Sequence, residues 1–477
     1  MKSYLRLTAF VLLFCALTFA NHASGQSNDQ DSQSPPLVVD SSASAEAMVR
    51  LRSPQAAGWQ DYLTGNRLMA IGLARRAQEV SLVCNGSFKI FVNGVLLRNG
   101  EAGEVVTFSG EMSERLTLVP EPGKLWFVKV NGRPLSGVSE GKAAFRYPGK
   151  LDIFASPGCG GGDQARVTLV DRIPLEQYVC GVIEEEMPSS FPLEALRAQA
   201  ICARTYALFY LGRHQADGFD LCASTHCQVY NGKPDRYSRP VAAAFSTRGQ
   251  VLLYGGQPAG TFFHSTCGGE TADGRFLAEN TFDRPYLAGV SDLRARTVPY
   301  DADGLKRFLA GGSEGYCRGS RKYRWTVTLS AAEVDALVQA NLGKALGQPG
   351  LQPGKVRMLR IASRERARVK VLTVDCEDGS YDVEGNDIRW LFKGAAQPAA
   401  KGGLMSTMFT MSVGKDAAGN LQYTFVGGGW GHGVGMCQFG AQGRAQAGQN
   451  AAEILAAYFP GAESWNQATQ ASEVEDE

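Results

Sequence analysis

The chain has 477 residues, and its 48 Lys and Arg against 47 Asp and Glu give a formal net charge of +1 at pH 7. This balance, without any long basic run, argues against a nucleic-acid partner and leaves electrostatic binding to a membrane surface unsupported. The length is sufficient for two or three domains with ordinary hydrophobic cores. The 11 cysteines show no repeated disulfide framework in their spacing.

The N-terminus predicts export. Lys2 and Arg6 precede a short apolar run that ends near Ala20 and is followed by small residues, which is the pattern of a signal peptide, expected over 1–24. The run is shorter than the roughly 20 apolar residues of a membrane span. No later stretch is apolar enough, so the mature chain is expected to have no transmembrane segment. Residues 25–60 are rich in Ser, Gln and Asp, which predicts a disordered linker.

The rest of the chain predicts an α+β fold. Runs such as "VSLVC" and "LWFVKVNG", separated by Gly- and Asn-containing turns, predict a β-rich accessory unit over 61–165. A catalytic core with a helix pair is expected over 166–300. An inserted strand-helix-strand-strand subdomain is expected over 301–412, where Ser330 and Glu333 form a helix-starting capping box. The core resumes as a glycine-rich second part over 413–465, and 466–477 is an acidic tail.

The segment "IPLEQYVCGVIEEEMP" predicts a helix between Pro174 and Pro188, because proline suits a first helical position and disfavours helix in the residue before it. Its apolar residues fall on one face: Leu175, Tyr178, Val179, Val182 and Ile183. The next position on that face is Glu186, whereas Glu184 points to the opposite side and Glu185 to the flank.

The helical spacing therefore singles out Glu186 among three consecutive glutamates. A carboxylate pressed against apolar surroundings has a raised pKa, which is what a general acid needs at neutral pH. The alternative is an acidic helix end whose side chains lie in water or pair with an arginine.

Four further residues are suited to a metal. "HQADGFDLCASTHCQVYNG" contains His214, Cys222, His226 and Cys227, and two nitrogens with two sulfurs match tetrahedral zinc. The spacing differs from that of a zinc finger, and a disulfide between Cys222 and Cys227 is the competing interpretation.

Several polar residues are candidates for ligand contact. The second helix, "PLEALRAQAICARTYALFYLG", carries Gln199 and Arg204, and "TFFHSTCGGET" carries His264, Ser265 and Thr266. A serine or Cys267 nucleophile beside His264 is conceivable, but no "GxSxG" elbow is present. The stretch "GGGWGHGVGMCQFGAQG", which contains Trp430 and His432, is either a tight structural turn or a wall where backbone approaches a ligand closely.

Three segments together resemble the SpoIID/LytB family: "PLEQYVCGVIEEEMPSSFPLEALRAQAICARTYAL", "FFHSTCGGET" and "GGGWGHGVGMCQFGAQGRAQAG…ILAAYFPG". The resemblance extends over about 165–461. It implies a bacterial protein of the periplasm or cell-wall space that acts on peptidoglycan glycan strands. Family members of the SpoIID type are lytic transglycosylases that cleave peptide-stripped strands between N-acetylmuramic acid and N-acetylglucosamine, leaving a 1,6-anhydro end.

The resemblance also implies roles for particular residues. The family's catalytic glutamate directly precedes Met-Pro, which here is Glu186, the residue that the spacing indicates. Some members bind zinc near the active site through His and Cys ligands, and the "HCQVY" region matches that place. The family often carries serine where this chain has Cys267 and Cys437. The candidates for holding the glycan are Gln199, Arg204, His264, Ser265, Thr266, Trp430 and His432.

Two other functions stay open. As the LytB name implies, the protein could be a non-catalytic, glycan-binding enhancer whose partner is an N-acetylmuramoyl-L-alanine amidase. It could also be a zinc hydrolase that cuts peptide stems, which would need an open metal position and a base.

Overall fold

The computed structural model describes residues 58–110, 112–135, 146–159, 165–232, 238–277, 284–294, 297–311, 314–396 and 401–468. The predicted signal peptide, the predicted linker up to residue 57 and the predicted acidic tail from residue 469 lie outside these residues. None of the helices within the described ranges combines the length and the apolar character that crossing a membrane requires.

Helices and strands occur in blocks along the chain. The first block contains α1 (Gln60–Thr64), β1 (Met69–Ala77), β2 (Glu79–Cys84), β3 (Phe88–Val92), β4 (Val95–Gly100), β5 (Val105–Ser109), β6 (Leu116–Pro120), β7 (Trp126–Val130), β8 (Arg133–Pro134), β9 (Lys150–Ala155) and β10 (Val167–Ile173). The second contains α2 (Leu175–Glu186), α3 (Leu193–Phe209), β11 (Leu221–Cys222), α4 (Arg239–Ser246), β12 (Gln250–Tyr254), β13 (Gln257–Pro258) and β14 (Phe263–His264). The third contains α5 (Ala302–Gly311), β15 (Trp325–Ser330), α6 (Ala331–Ala345), β16 (Val356–Glu365), β17 (Arg368–Cys376), β18 (Ser380–Glu384), α7 (Asp387–Leu391), β19 (Phe409–Lys415) and β20 (Leu421–Gly427). The last contains β21 (Met436–Cys437), α8 (Gln438–Gln446), α9 (Ala451–Tyr458) and β22 (Glu463–Asn466). Separate helices with several small, mostly antiparallel sheets confirm the predicted α+β class.

The first block forms two sheets. One has the strand order β11-β1-β10-β9-β6-β3-β4, and the other has the order β5-β2-β7-β8. Phe88 of the first sheet contacts Trp126 of the second with ring centroids 5.0 Å apart, and both side chains are buried. Because β11 pairs in parallel with β1, residues around 221 are attached directly to this β-rich region.

The helix pair lies in the same hydrophobic core. Helix α2 begins after Pro174 and ends at Glu186, as the two prolines and the apolar spacing predict. Helix α3 begins after Pro192 and is buried along almost all of its length, because small residues such as Ala200 and Ala203 let neighbouring elements approach it closely.

The third block has a hydrophobic core of its own, formed by residues between Trp325 and Phe425. Strands β15, β20 and β19 form one antiparallel sheet in that order, and β16, β17 and β18 form another. Ser330 and Glu333 make the predicted capping box at the start of α6. Strand β19 contains residue 412, the predicted end of the inserted subdomain, and it pairs with β20.

The last block returns the chain to the helix pair. Strand β21 pairs in parallel with β14, placing Met436 opposite Phe263 and Cys437 opposite His264. This pairing brings the "FFHSTCGGET" segment beside the glycine-rich segment, although about 170 residues separate them in sequence. Two of the segments that carry candidate site residues are thereby adjacent.

Candidate functional site

Glu186 is the last residue of α2, and its side chain is half-buried. The backbone N–H of Val229 donates to its Oε1 at 3.1 Å. The side-chain amide of Gln438 donates to the backbone carbonyl of Glu186 at 3.0 Å. The loop that follows Cys227 therefore holds the carboxyl group, and the first residue of α8 holds the backbone that carries it.

The environment of Glu186 favours its protonated form. Burial raises the pKa of this carboxyl to about 7, although the Val229 and Gln438 hydrogen bonds act in the opposite direction. The position at the C-terminal, partially negative end of a helix also disfavours a carboxylate. The neighbouring Glu185 is exposed and lies 3.8 Å from Arg146. The structure thus agrees with the helical spacing, which indicated Glu186 as the carboxyl group turned toward the protein interior.

The glycine-rich segment packs tightly against the protein's own backbone. Gly429 has φ +86°, and a Cβ there would lie 2.5 Å from the carbonyl oxygen of Thr266. Gly435 has φ +71°, and a Cβ there would lie 2.2 Å from the carbonyl oxygen of Phe262. The N–H groups of 428–431 all donate to backbone carbonyls of the chain itself. Gly429 and Gly435 are thus required for close packing on the 262–267 segment, and the amides of 428–431 are engaged by the protein itself, which favours the structural turn over a wall that contacts a ligand.

Of the two histidines of this region, His264 is buried and His432 is half-buried, and the surroundings favour the neutral form of both rings. His264 places Nδ1 3.1 Å from the Val434 carbonyl, and its Nε2 has no hydrogen-bond partner among the described residues. His432 places Nε2 2.9 Å from the Phe263 carbonyl, and its Nδ1 accepts from the Val434 N–H. Burial lowers the pKa of each ring to about 4. The prediction that His432 offers a polar group to a ligand is corrected, since both of its nitrogens bind backbone.

The hydroxyl and indole groups differ in accessibility. Thr266 is buried, and its hydroxyl donates to Ser320 Oγ at 2.8 Å. Ser265 is half-buried, and Trp430 is 47% exposed. Thr266 and Trp430 exchange two backbone hydrogen bonds, of 3.0 and 2.7 Å. Of the residues predicted to hold a glycan, Ser265, Trp430 and His432 are therefore the ones that are not fully buried, and both ring nitrogens of His432 already bind backbone.

Gln199 lies beneath this surface. Its side chain is fully buried, and its Oε1 accepts a hydrogen bond of 3.4 Å from Gln438 Nε2. It thus supports the residue that holds Glu186. A direct contact between Gln199 and a ligand would require movement of the surrounding chain, so the structure does not bear out the prediction that Gln199 binds glycan directly.

Arg204 joins elements of the protein core, which corrects the prediction that it holds sugar hydroxyls. Its guanidinium is fully buried and forms a bidentate pair with Glu176, with distances of 2.9 and 2.7 Å. It also donates to the carbonyls of Gln250 and Ala244. With its donors directed into the protein, Arg204 joins α2, α3, α4 and β12.

The four predicted metal ligands come together. His214 Nε2 lies 3.3 Å from His226 Nδ1, and Cys227 Sγ lies 3.5 Å from each of these nitrogens. Cys222 Sγ lies 3.6 Å from His226 Nδ1. Zinc–ligand bonds of about 2.0–2.3 Å place the atoms of a tetrahedral set about 3.3–3.6 Å apart. The four side chains therefore fit a tetrahedral metal ion, and all ten described cysteines are thiols rather than disulfides.

The groups around this cluster suit a metal as well. Asp217 Oδ2 lies 3.1 Å from the other ring nitrogen of His214, the arrangement in which a carboxylate orients a ligating histidine. The pKa of Cys222 is lowered, mainly by a hydrogen bond from Cys227 and to a smaller extent by hydrogen bonds with His214 and His226. The cluster is also joined to the carboxyl site, because Val229, two residues after Cys227, donates to Glu186.

No sequence pattern indicated two of the residues that contact Glu186. Gln438, which contacts both Glu186 and Gln199, lies inside the quoted glycine-rich stretch but has no spacing that marks it. Val229 acts through its backbone amide, which no side-chain pattern can indicate.

Two family models match the chain. Residues 163–254 match SpoIID, described as "Stage II sporulation protein", and residues 278–435 match a domain of unknown function, DUF8618. The first match contains both helices of the pair, Glu186 and the four-residue metal cluster.

Related proteins agree with this match. An uncharacterized protein of Brachyspira hyodysenteriae is 30% identical over 298 residues, which are 61% of this chain and 67% of that protein. Stage II sporulation protein D of Bacillus subtilis is 29% identical over 61% of this chain and 74% of its own. The amidase enhancer of Bacillus subtilis is 28% identical over 59% of this chain, and the match spans only 39% of its length. Together with the geometry around Glu186, these similarities establish that the chain belongs to the SpoIID/LytB family.

Proposed function

We propose that the protein is a peptidoglycan lytic transglycosylase of the periplasm or cell-wall space, to which the predicted signal peptide would export it. It would cleave the bond between N-acetylmuramic acid and N-acetylglucosamine in peptide-stripped glycan strands and leave a 1,6-anhydro end. The observation that carries the proposal is the half-buried carboxyl of Glu186, whose pKa of about 7 lets it exist in both protonation states near neutral pH. The cell-wall context follows from the family and from the relatives named stage II sporulation protein D and amidase enhancer.

One carboxyl group can perform both steps of this reaction. Protonated Glu186 donates its proton to the glycosidic oxygen as the bond to the anomeric carbon breaks. The resulting carboxylate then removes the proton from the 6-hydroxyl of the muramic acid as that oxygen bonds to the anomeric carbon. The proton returns to Glu186, and no water is consumed. A hydrolytic glycosidase, in contrast, usually needs two carboxyl groups.

The contacts of Glu186 suit this sequence of steps. The Val229 N–H binds Oε1, which leaves Oε2 to carry the proton that is transferred. The same N–H stabilises the carboxylate that forms after the transfer, so it keeps the group from becoming too weak an acid.

Trp430 and Ser265 are the groups that we propose to contact the sugar. Trp430 is about half exposed, and an exposed indole face is the kind of surface on which a sugar ring stacks. Its backbone is fixed to Thr266, and the carbonyl of Ser265 accepts the N–H of Phe439, the residue after Gln438. These contacts connect the exposed groups to the residue that holds Glu186.

Product analysis tests the reaction type. Glycan strands stripped by an amidase are incubated with the mature protein, and the soluble products are identified by mass spectrometry. Fragments with anhydro ends are expected. Fragments with reducing muramic acid ends would show a hydrolase instead. Strands that are bound but left intact would place the protein with the non-catalytic enhancers of an N-acetylmuramoyl-L-alanine amidase, the function that the amidase enhancer relative suggests.

We also propose that His214, Cys222, His226 and Cys227 hold a structural zinc ion. Four protein ligands complete a tetrahedron and leave no open position for a substrate or a water molecule, which disfavours the zinc hydrolase that the sequence left open. The ion would supply no chemistry to the glycan. It would fix the loop whose Val229 amide holds Glu186.

Replacing Cys227 with serine is expected to remove one zinc ion per chain and to lower the melting temperature by several degrees, because structural zinc sites contribute directly to folding. Elemental analysis and thermal unfolding measure the two effects. Cys159→Ser, which changes a half-exposed cysteine outside the cluster, is the control and should retain the zinc content of the wild type. Equal zinc content in Cys227→Ser and the wild type would refute this site.

A further inference from the structure

A second cluster of metal-ligand side chains lies outside the site described above. Cys267, Asp292, Cys317 and Cys437 come from four separate segments and place their sulfur and oxygen atoms within 4.8 Å of one another. Cys267 Sγ lies 3.5 Å from Cys317 Sγ and 3.3 Å from Asp292 Oδ2. Ligands of a tetrahedral zinc ion lie about 3.5–3.8 Å apart when three are thiolates. The cluster thus has nearly the dimensions of such a site before any ion enters it.

Backbone amides are directed at the sulfur atoms. The N–H groups of Cys267 and Gly440 donate to Cys437 Sγ at 3.1 and 3.2 Å, and the N–H of Gly269 donates to Cys267 Sγ at 3.4 Å. Cys437 also caps the N-terminus of α8, where a negative charge is favoured. Hydrogen bonds to sulfur favour the thiolate, which is the form that binds metals.

Asp292 is oriented with one oxygen toward the sulfur atoms. Its Oδ1 accepts hydrogen bonds from Arg444 at 3.0 and 3.1 Å and from the Tyr458 hydroxyl at 2.8 Å. Its Oδ2 faces Cys267. A carboxylate whose outer oxygen is fixed in this way while its inner oxygen faces other ligands is the usual arrangement at a metal centre.

The buried charges of the cluster favour a bound cation. All four side chains are fully buried, and a buried charge is costly unless it is paired. Three thiolates and one carboxylate carry four negative charges. Arg444 pairs with Asp292, and the buried guanidinium of Arg368 donates to the carbonyl of Cys267. Together with Arg324, whose guanidinium donates to the Gly268 carbonyl, these positive charges leave the cluster net negative, and a bound cation would offset that charge.

We propose that Cys267, Asp292, Cys317 and Cys437 bind a structural zinc ion that is independent of the His214 cluster. Thiolate ligands select zinc among the common divalent cations. The ion would clamp the turn after β14, the 317 turn and the start of α8 onto one point. Because Gln438 follows Cys437 directly and holds Glu186, this clamp would fix the side of the carboxyl site that α8 provides.

The test uses the full mature chain with the first cluster removed by Cys222→Ser and Cys227→Ser. Purified from a zinc-containing medium, this double variant is expected to retain one zinc ion per chain by elemental analysis. Reconstitution with cobalt(II) alone is expected to give a thiolate-to-cobalt charge-transfer band and the intense visible bands of a tetrahedral site. Adding Cys317→Ser should remove the zinc and weaken both sets of bands. Cys376→Ser, which changes a buried cysteine of a different core, should leave them unchanged.

The competing state is a disulfide between Cys267 and Cys317. It would appear as an intact mass lower by two hydrogens and as a cross-linked peptide, with no metal bound. That result would overturn the proposal, and so would a metal-free double variant with all thiols free. If the Cys317→Ser protein does not fold, the zinc content and cobalt spectrum of the double variant decide the question. Neither measurement depends on cleavage activity, so failure of this proposal is distinguishable from failure of the proposed function.

Discussion

Replacing Glu186 with glutamine is expected to lower the rate of glycan-strand cleavage by about 10²–10⁴-fold, the usual contribution of a positioned general acid and base. Glutamine preserves the shape of the side chain, and its oxygen can still accept the Val229 N–H, so the fold should be retained. It cannot donate a proton to the glycosidic oxygen or remove one from the 6-hydroxyl. Mass spectrometry of the anhydro-ended products over time measures the loss.

Glu185→Gln is the matched control for this substitution. It makes the same chemical change one residue earlier, at an exposed side chain that lies 3.8 Å from Arg146. Its cleavage rate should equal that of the wild type. If Glu186→Gln cleaved as fast as Glu185→Gln, Glu186 would not be the acid and base of the reaction.

The pH dependence separates a catalytic role from loss of structure. The proton that is transferred is present below the pKa of about 7 and is lost above it. Wild-type kcat/KM should therefore fall as pH rises through this value. The residual activity of Glu186→Gln should lack that decline, which a merely misfolded variant would not explain.

The Glu186→Gln substitution should lower activity but raise stability above neutral pH. Because the folded pKa of Glu186 lies above its ordinary value of 4.5, its contribution to stability is complete below about pH 4.5 and is lost as pH rises through 7. Glutamine stays neutral at every pH. At about pH 8 the variant should thus be more stable than the wild type by on the order of 1–3 kcal/mol, and the difference should vanish below pH 4.5. Thermal unfolding at both pH values measures it.

The sequence predicted features that depend on neighbouring residues. Helix α2 lies between two prolines, Pro174 and Pro188, and its apolar spacing is a property of one short segment. Its bounds and the inward direction of Glu186 could therefore be obtained without a structure. The four residues of the His214 cluster lie within 14 positions of one another, and their chemistry indicates a metal irrespective of the fold.

Features that depend on distant pairs could not be predicted. Gln438 and Glu186 are separated by 252 residues, and only the pairing of β14 with β21 brings α8 to the helix pair. The abundance of glycine correctly indicates that a backbone is approached closely, but composition does not tell whether the approaching group is a ligand or the protein itself. Here it is the 262–267 segment.

The position of Arg204 also depends on residues that are distant in sequence. From a helical pattern, an arginine beside small residues is equally compatible with a solvent-facing position and with a buried ion pair. The structure decides between them because Glu176 lies opposite, and the fully buried guanidinium joins four elements of the core.

Replacing Arg204 with methionine is expected to lower the free energy of unfolding by about 3–5 kcal/mol, because Glu176 is left without its partner and two backbone carbonyls lose their donor. Urea denaturation measures the change. Arg197→Met is the control, since it removes a half-exposed Arg–Glu pair from the same helix and should cost about 0–1 kcal/mol.

Adding Glu176→Gln to Arg204→Met should recover part of the lost stability, because the uncompensated charge is removed with its partner. Below its unfolding transition, Arg204→Met should bind glycan strands as the wild type does. The opposite pattern, with wild-type stability and lost binding, would return Arg204 to the glycan-contacting residues. It would also require the pair with Glu176 to open in the bound protein, since each guanidinium nitrogen already donates to Glu176 or to a backbone carbonyl.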